Sequence, residues 1–157
     1  QLQINYIVAD ARNLTNFSAG SMDLVHSNNT FEHVYPVILE DILKEFKRIT
    51  KKDGLMSHFI DMSDHFAHFD KSINIYNFLQ YSNNAWDKMI DNSIQPPTRW
   101  RFKQFVELYK KLNIPVTETE IRPGNVNEVK SLKIHKDFSN FSPEELAVSH
   151  CYIFSKM

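Results

Sequence analysis

Apolar residues recur along this chain with two spacings, and their alternation predicts the architecture. Ile4 to Ala9 is a short apolar run rich in β-branched residues, ended by Asp10, and it reads as a buried strand followed by a polar loop through Gly20. Met22 to His26 is a second brief strand, closed by the turn-forming Ser27-Asn28-Asn29. From Val37 to Thr50 the apolar positions Ile38, Leu39, Ile42, Leu43, Phe46 and Ile49 recur at three and four, with Glu40, Asp41, Lys44, Glu45, Lys47 and Arg48 opposite. That is the pattern of an amphipathic helix. Pro36 sits just inside its start, and Lys51-Lys52-Asp53-Gly54 supplies cations and a glycine for its end. Leu55 to Met62 is then a third strand.

Residues 63 to 100 break this rhythm. They carry many aromatics, asparagines and histidines without a clean repeat before Gln95-Pro96-Pro97, which predicts an inserted lid of short helices. Phe102, Phe105, Val106, Tyr109 and Leu112 mark a further amphipathic helix, and the alternation from Val116 to Ile121 predicts a strand near a sheet edge. Residues 125 to 141 fit no single element. Ser142-Pro143-Glu144-Glu145 is a capping box for a short helix leading into a last strand, Val148 to Ser155. Strands and helices joined by short links predict an α/β fold with a parallel sheet covered by helices.

Composition narrows the possibilities. With 42% hydrophobic and 24% charged residues the 157-residue chain has the balance of one globular domain, and disorder is excluded. The net charge of −1 comes from interleaved acids and bases, with no basic patch for nucleic acid or an anionic membrane. Cys151 stands alone among apolar neighbours, which rules out a disulfide framework and a cysteine zinc site, predicts a buried structural thiol and suits a cytoplasmic protein. The chain opens on Gln1 and runs at once into a strand-like segment, which reads as an internal cut in a longer protein.

Three segments, IVADARNL at residues 7–14, MDLVHSNNTFEHV at 22–34 and LKEFKRITKKDGLMSHFIDMSDH at 43–65, together resemble the third to fifth strands of class I methyltransferases that use S-adenosylmethionine. The resemblance implies a partial Rossmann-like sheet, from the third strand onward, with helices on its faces and an antiparallel last strand. It places Asp10 and Ala11 at the adenine, and Ser27, Asn28 and Asn29 beside the methionine part of the cofactor. Glu32 and His33 match a Glu-His pair whose common role is to fix the loop and the following helix. In that family a glycine-rich turn follows the first strand, and here Gly20, Gly54 and Gly124 each stand alone. The resemblance therefore implies an incomplete methyltransferase domain, lacking upstream sequence of about 60 residues. By itself it would bind cofactor poorly and leave an open sheet edge for a partner or a second copy, as in a homodimer.

The densest polar cluster is Asp61, Asp64, His65, His68 and Asp70, just past the predicted third strand of this chain, where open parallel sheets place ligands. A solvated loop with its histidines against Phe66 and Phe69 is the ordinary reading. Of the chemical ones, His65 or His68 as the base that deprotonates an acceptor ranks ahead of a divalent metal held by the cluster. Tyr76, Tyr81, Trp86, Arg99 and Arg101 in the lid are candidates for an acceptor pocket, the arginines meeting a carboxylate or phosphate. The functional expectation is methyl transfer to a small-molecule acceptor. Its alternatives are a truncated methyltransferase fold serving as an interaction module and a metal-dependent hydrolase built on residues 61 to 70.

Overall fold

A computed structural model describes residues 3–90 and 98–157. Strand β1 (Met22–Asn28) leads through one turn of 3-10 helix at Phe31–His33 into α1 (Pro36–Ile49), which returns the chain to β2 (Thr50–Asp61). This β–α–β unit makes β1 and β2 parallel, with Leu24 opposite Leu55 and Asn28 opposite Phe59. Short helices follow at His65–His68 and Asn77–Gln80, then α2 (Asn83–Ile90) and α3 (Phe102–Lys111). The chain ends with β3 (Glu118–Arg122), α4 (Val126–Lys130), a turn of 3-10 helix at Lys136–Phe138, α5 (Pro143–Ala147) and β4 (His150–Lys156). Among the described residues the sheet order is β1-β2-β4-β3, with β4 antiparallel to both of its neighbours.

The α/β class, the antiparallel last strand and the edge position of β3 agree with the sequence reading, and so do the short helices of the insertion. The Gln95-Pro96-Pro97 end of that insertion lies outside the described residues. The Ser142 box forms as expected: Ser142 Oγ accepts from Glu145 N at 3.2 Å, and Glu145 Oε2 accepts from Ser142 N at 2.7 Å.

Two expectations need correction. Ile4 to Ala9 is not a strand, and Ile4, Tyr6 and Val8 are more than four-fifths exposed. In the Rossmann-like strand order 3-2-1-4-5-6, the third strand is separated from the fourth by the second and first. A segment of this composition therefore has no neighbour to pair with on the β1 side, and an apolar run without a partner forms no ladder. The sheet begins one strand later than the resemblance implied. Nor does Gly54 cap α1. Thr50 closes the helix, its Oγ donating to Phe46 O at 2.6 Å, and Gly54 lies inside β2, where an added Cβ would meet Thr50 Cγ2 at 2.9 Å and Met22 O at 3.0 Å. The register slips between Met22 and Leu24 accommodate this close approach.

One face of the sheet is the core: Val25, Met56, Ile60, Cys151 and Ile153 pack with Leu39 and Leu43 of α1 and Phe105, Leu108 and Tyr109 of α3. Cys151 is buried as predicted, and burial pushes its thiol up to about 12. On the other face Phe59, Tyr152 and Phe154 stay half-buried, stacked on one another with centroids 4.6 and 5.5 Å apart. Residues that follow β2 build a second small core, in which Tyr76, Phe78, Leu79 and Trp86 pack with Val129, Phe138 and Leu146. This second core sets the position of the cavity described below.

Candidate functional site

The carboxyl ends of β1 and β2 lie side by side because the strands are parallel, and each ends in a tight turn. After β1, Asn29 takes a left-handed conformation (φ 48°), and Thr30 Oγ donates to Asn28 O at 3.0 Å. The following turn buries Phe31, whose ring stacks on His58 of β2 at 4.4 Å, and this seating carries Glu32 and His33 to the end of the sheet. After β2, Ser63 N donates to Asp61 Oδ1 at 2.8 Å and Phe66 N to Asp64 Oδ1 at 3.0 Å, so two carboxylates fold the chain back and present His65.

Asp61 is the hub of this end. His65 Nε2 stands 3.5 Å from its Oδ2, and His150 Nε2 on β4 stands 3.4 Å from its Oδ1. Burial raises the Asp61 carboxyl, but hydrogen bonding to His150, His65 and Ser63 outweighs it and holds the group well below the usual carboxylate range. The same Asp61 contact raises the His65 imidazole above its ordinary value against the opposing effect of burial. Next to this pair Glu32 is 1% exposed, and burial pushes its carboxyl up to about 7. The His33 ring lies 4.9 Å from that of His65, and burial followed by the neighbouring His65 charge lowers it. His68 is exposed, its ring 5.7 Å from His65. Asp64 is buried, and Asp70 is exposed with its Oδ1 accepting from Ser72.

The other predicted residues separate into groups. Asp10 is exposed and bound by its own turn, accepting from Arg12 Nε at 3.0 Å and Nη2 at 2.6 Å, which lowers its carboxyl to about 2. It lies against Asp41, Lys44, Glu45 and Arg48 of α1, with Ala11 half-buried beside it. Ser27 Oγ meets His58 Nδ1 at 2.7 Å, while Asn28 ends β1 and Asn29 N donates to Phe59 O at 3.1 Å. Among the described residues no hydrogen bond joins Asp10 and Ala11 to Ser27, Asn28 and Asn29.

A cavity of about 490 Å³ opens beside the turn after β1, between Val34, Tyr35 and Pro36 and the insertion's Trp86, Arg99 and Trp100. Of the expected pocket residues, Trp86 and Arg99 line it. Tyr81 stands behind, its ring 6.2 Å from Trp86. Tyr76 and Arg101 are fully buried in the frame instead. Tyr76 Oη donates to Ala147 O at 2.9 Å and accepts from Asn125 N at 2.8 Å. Arg101 donates to the carbonyls of Met62, Leu146 and Val148. Arg99 is itself largely committed, donating to Phe78 O at 2.8 Å and Tyr81 O at 2.6 Å and stacking over Trp86 and Phe138. Asp87 and Asp137 share the lining with it, so among the described residues the cavity offers no free cation for a carboxylate or phosphate.

A family model described as a methyltransferase domain matches residues 1–57. No curated protein matches the chain. Among solved structures, a S-adenosylmethionine-dependent methyltransferase from Archaeoglobus fulgidus superposes with a TM-score of 0.55 at 13% identity, covering 99% of this chain and 68% of its own. One from Methanosarcina mazei gives 0.56 at 14% identity, over 96% and 65% of the two chains. The geranyl diphosphate C-methyltransferase of Streptomyces coelicolor, solved with Mg2+, geranyl diphosphate and S-adenosyl-L-homocysteine, gives 0.55 at 13%, over 96% and 53%. The fold is that of the class I methyltransferases. In this fold Asp10 follows the first apolar segment, Ser27 and Asn28 are the last two residues of β1, and Asn29 opens the turn after it. No glycine of the chain cradles a cofactor: Gly20 has open space around it, Gly54 is within a strand, and Gly124 is wedged against Ala147 O and Tyr76 Oη.

Sequence reasoning reached Asp61, His65 and Trp86, but it missed His150, which meets Asp61 only by pairing of β4 with β2. It put a structural part for Glu32, fixing the loop and the following helix, ahead of a direct catalytic one. The available signal was a charged Glu-His pair set between the apolar Phe31 and Val34.

Proposed function

We propose that this chain forms part of a S-adenosylmethionine-dependent methyltransferase acting on a small-molecule acceptor, in the cytoplasm, with residues 63–100 as the acceptor-side lid. The observation that carries this reading is the meeting, at one end of the sheet, of the turn after β1, the Asp61–His65 pair after β2 and the cavity beside them. S-adenosylmethionine supplies an electrophilic methyl group, which leaves the protein to align the nucleophile and take its proton. Asp10, Ala11, Ser27, Asn28 and Asn29 are the residues proposed to flank the cofactor. The chain by itself holds it weakly, because close backbone approach to such a ligand needs glycine at the turn. His65, raised by Asp61, and His68 beside it are proposed to receive the acceptor's proton, Asp61 stabilising the imidazolium that forms. The outer edge of β1 has no strand partner among the described residues, and Leu24 on it is 56% exposed, so a second copy or a partner would add there.

The cavity's lining supports a reading of the acceptor class. Two tryptophans and Phe138 and Phe141 favour a flat apolar body, and Asp87 and Asp137 beside a committed Arg99 favour a neutral or cationic one. Trp86 and Trp100 are the only tryptophans of the chain and both line the cavity, so their emission reports its filling. Titration with 2-phenylethylamine or phenol is expected to change tryptophan emission saturably, with benzoate at least fivefold weaker. Benzoate binding as well as the amine, or no saturable change with any of the three, contradicts this acceptor class.

A further inference from the structure

We propose that Glu32, His33 and His65 form a binding site for one divalent transition-metal cation of the zinc class. Each of the three offers one ligand atom, and these atoms lie within 4.8 Å of one another. Three buried side-chain atoms of these residues have no hydrogen-bond partner among the described residues, both carboxylate oxygens of Glu32 and Nδ1 of His33, while His65 Nε2 faces Asp61 Oδ2 at 3.5 Å. Burying a carboxylate without a partner is costly, and native folds leave few such groups. Unpaired donor atoms on Glu32 and His33, with the His65 ring beside them, form a set suited to a Lewis acid.

Two imidazoles and one carboxylate are a donor set for zinc-class cations, with positions left open for water or a ligand. Tetrahedral bonds of about 2.1 Å place ligand atoms roughly 3.4 Å apart, so the side chains must close by up to about 1.5 Å, within reach of rotamer adjustment. The surroundings support the set. Asp61 Oδ2, 3.5 Å from His65 Nε2, adds a further carboxylate at the edge of the set. Phe31 is buried against His58 and anchors the turn that carries both Glu32 and His33. The cluster therefore sits on rigid supports at the ends of two adjacent strands.

Cation binding is independent of methyl transfer. Its use rests on the methyltransferase reading: a cation here would hold an acceptor oxygen and ease loss of its proton, with His65 then a ligand and the exposed His68 left to carry the proton away.

The test is made on residues 1–157 stripped of metal, without cofactor or acceptor, so that its failure is separate from failure of the methyl-transfer reading. Co2+ is titrated by visible absorbance and displaced with Zn2+, on the wild type and on Glu32→Gln, His33→Gln, His65→Gln and His68→Gln. The expected result is one equivalent per chain, at least tenfold weaker in the first three variants and unchanged in His68→Gln. Zn2+ should also raise the melting temperature of the wild type and not of Glu32→Gln. Should Glu32→Gln fail to fold, the two histidine variants decide. Absence of stoichiometric binding by the wild type, or binding that His68→Gln weakens and the others do not, overturns the proposal.

Discussion

Replacing Arg101 with methionine is expected to destabilise the protein by about 3–5 kcal/mol. Its guanidinium is fully buried and, among the described residues, pairs with no carboxylate. Burial lowers it to about 10, so it remains charged at neutral pH. Its charge is met by three main-chain carbonyls, of Met62 at the end of β2 and of Leu146 and Val148 on either side of the end of α5. The side chain thus ties the exit of β2 to the entry of β4 and supports the turn that presents His65. Methionine fills much of the volume and leaves three buried acceptors without donors. The measurement is urea unfolding at neutral pH, comparing wild type, Arg101→Met and Arg101→Lys. Lysine, with one compact group of donors, should recover only part of the loss, and a cost below 1 kcal/mol for methionine would remove Arg101 from this role.

Gly124→Ala is expected to cost about 3 kcal/mol or more, from strain in the left-handed region together with forced movement of packed backbone. Gly124 has φ +65°, and an added Cβ would stand 1.9 Å from Ala147 O and 2.1 Å from Tyr76 Oη. Those two atoms are hydrogen-bonded to each other at 2.9 Å, and Tyr76 also accepts from Asn125 N. Three segments therefore cross at one point, and only a residue without a side chain fits between them. Gly20 is the internal control: it has a similar φ of +61° with nothing within 4 Å of the same added atom. Gly20→Ala should lose only about 1 kcal/mol, the conformational part of the penalty. Equal losses at the two positions, read from the same unfolding curves, would show that the crossing at Tyr76 is not tight.

The contrast between these glycines bears on what the sequence revealed. The β1–α1–β2 unit was legible because its signals are local: a brief apolar run closed by turn residues, then a period of 3.6 with Pro36 at the helix start, then a further strand after the Lys51–Gly54 segment. The Ser142 box was legible for the same reason. Ile4 to Ala9 has an equally good local pattern and forms no strand, because a strand exists only through its neighbours, and in this topology its neighbours are not β1 or β2. Gly54 looked like a helix cap for want of knowing that Thr50 already closes the helix. In the site, Asp61 and His65 were found because they are close along the chain. His150 was not found, since it reaches Asp61 across the sheet. Arg101 carried the composition of a ligand-binding residue, and what makes it structural is three carbonyls from distant parts of the chain. Such convergence has no signature in a linear pattern.

The central claim is that these residues flank a bound S-adenosylmethionine whose glycine-lined cradle is not among them. Isothermal titration calorimetry tests it most directly, with S-adenosylmethionine added to residues 1–157 and to a longer chain that places a glycine-rich strand–helix unit ahead of residue 1. The account predicts saturable heat from the longer chain and an affinity at least tenfold weaker from residues 1–157. Equal affinity in the two chains, or no binding by either, would contradict it.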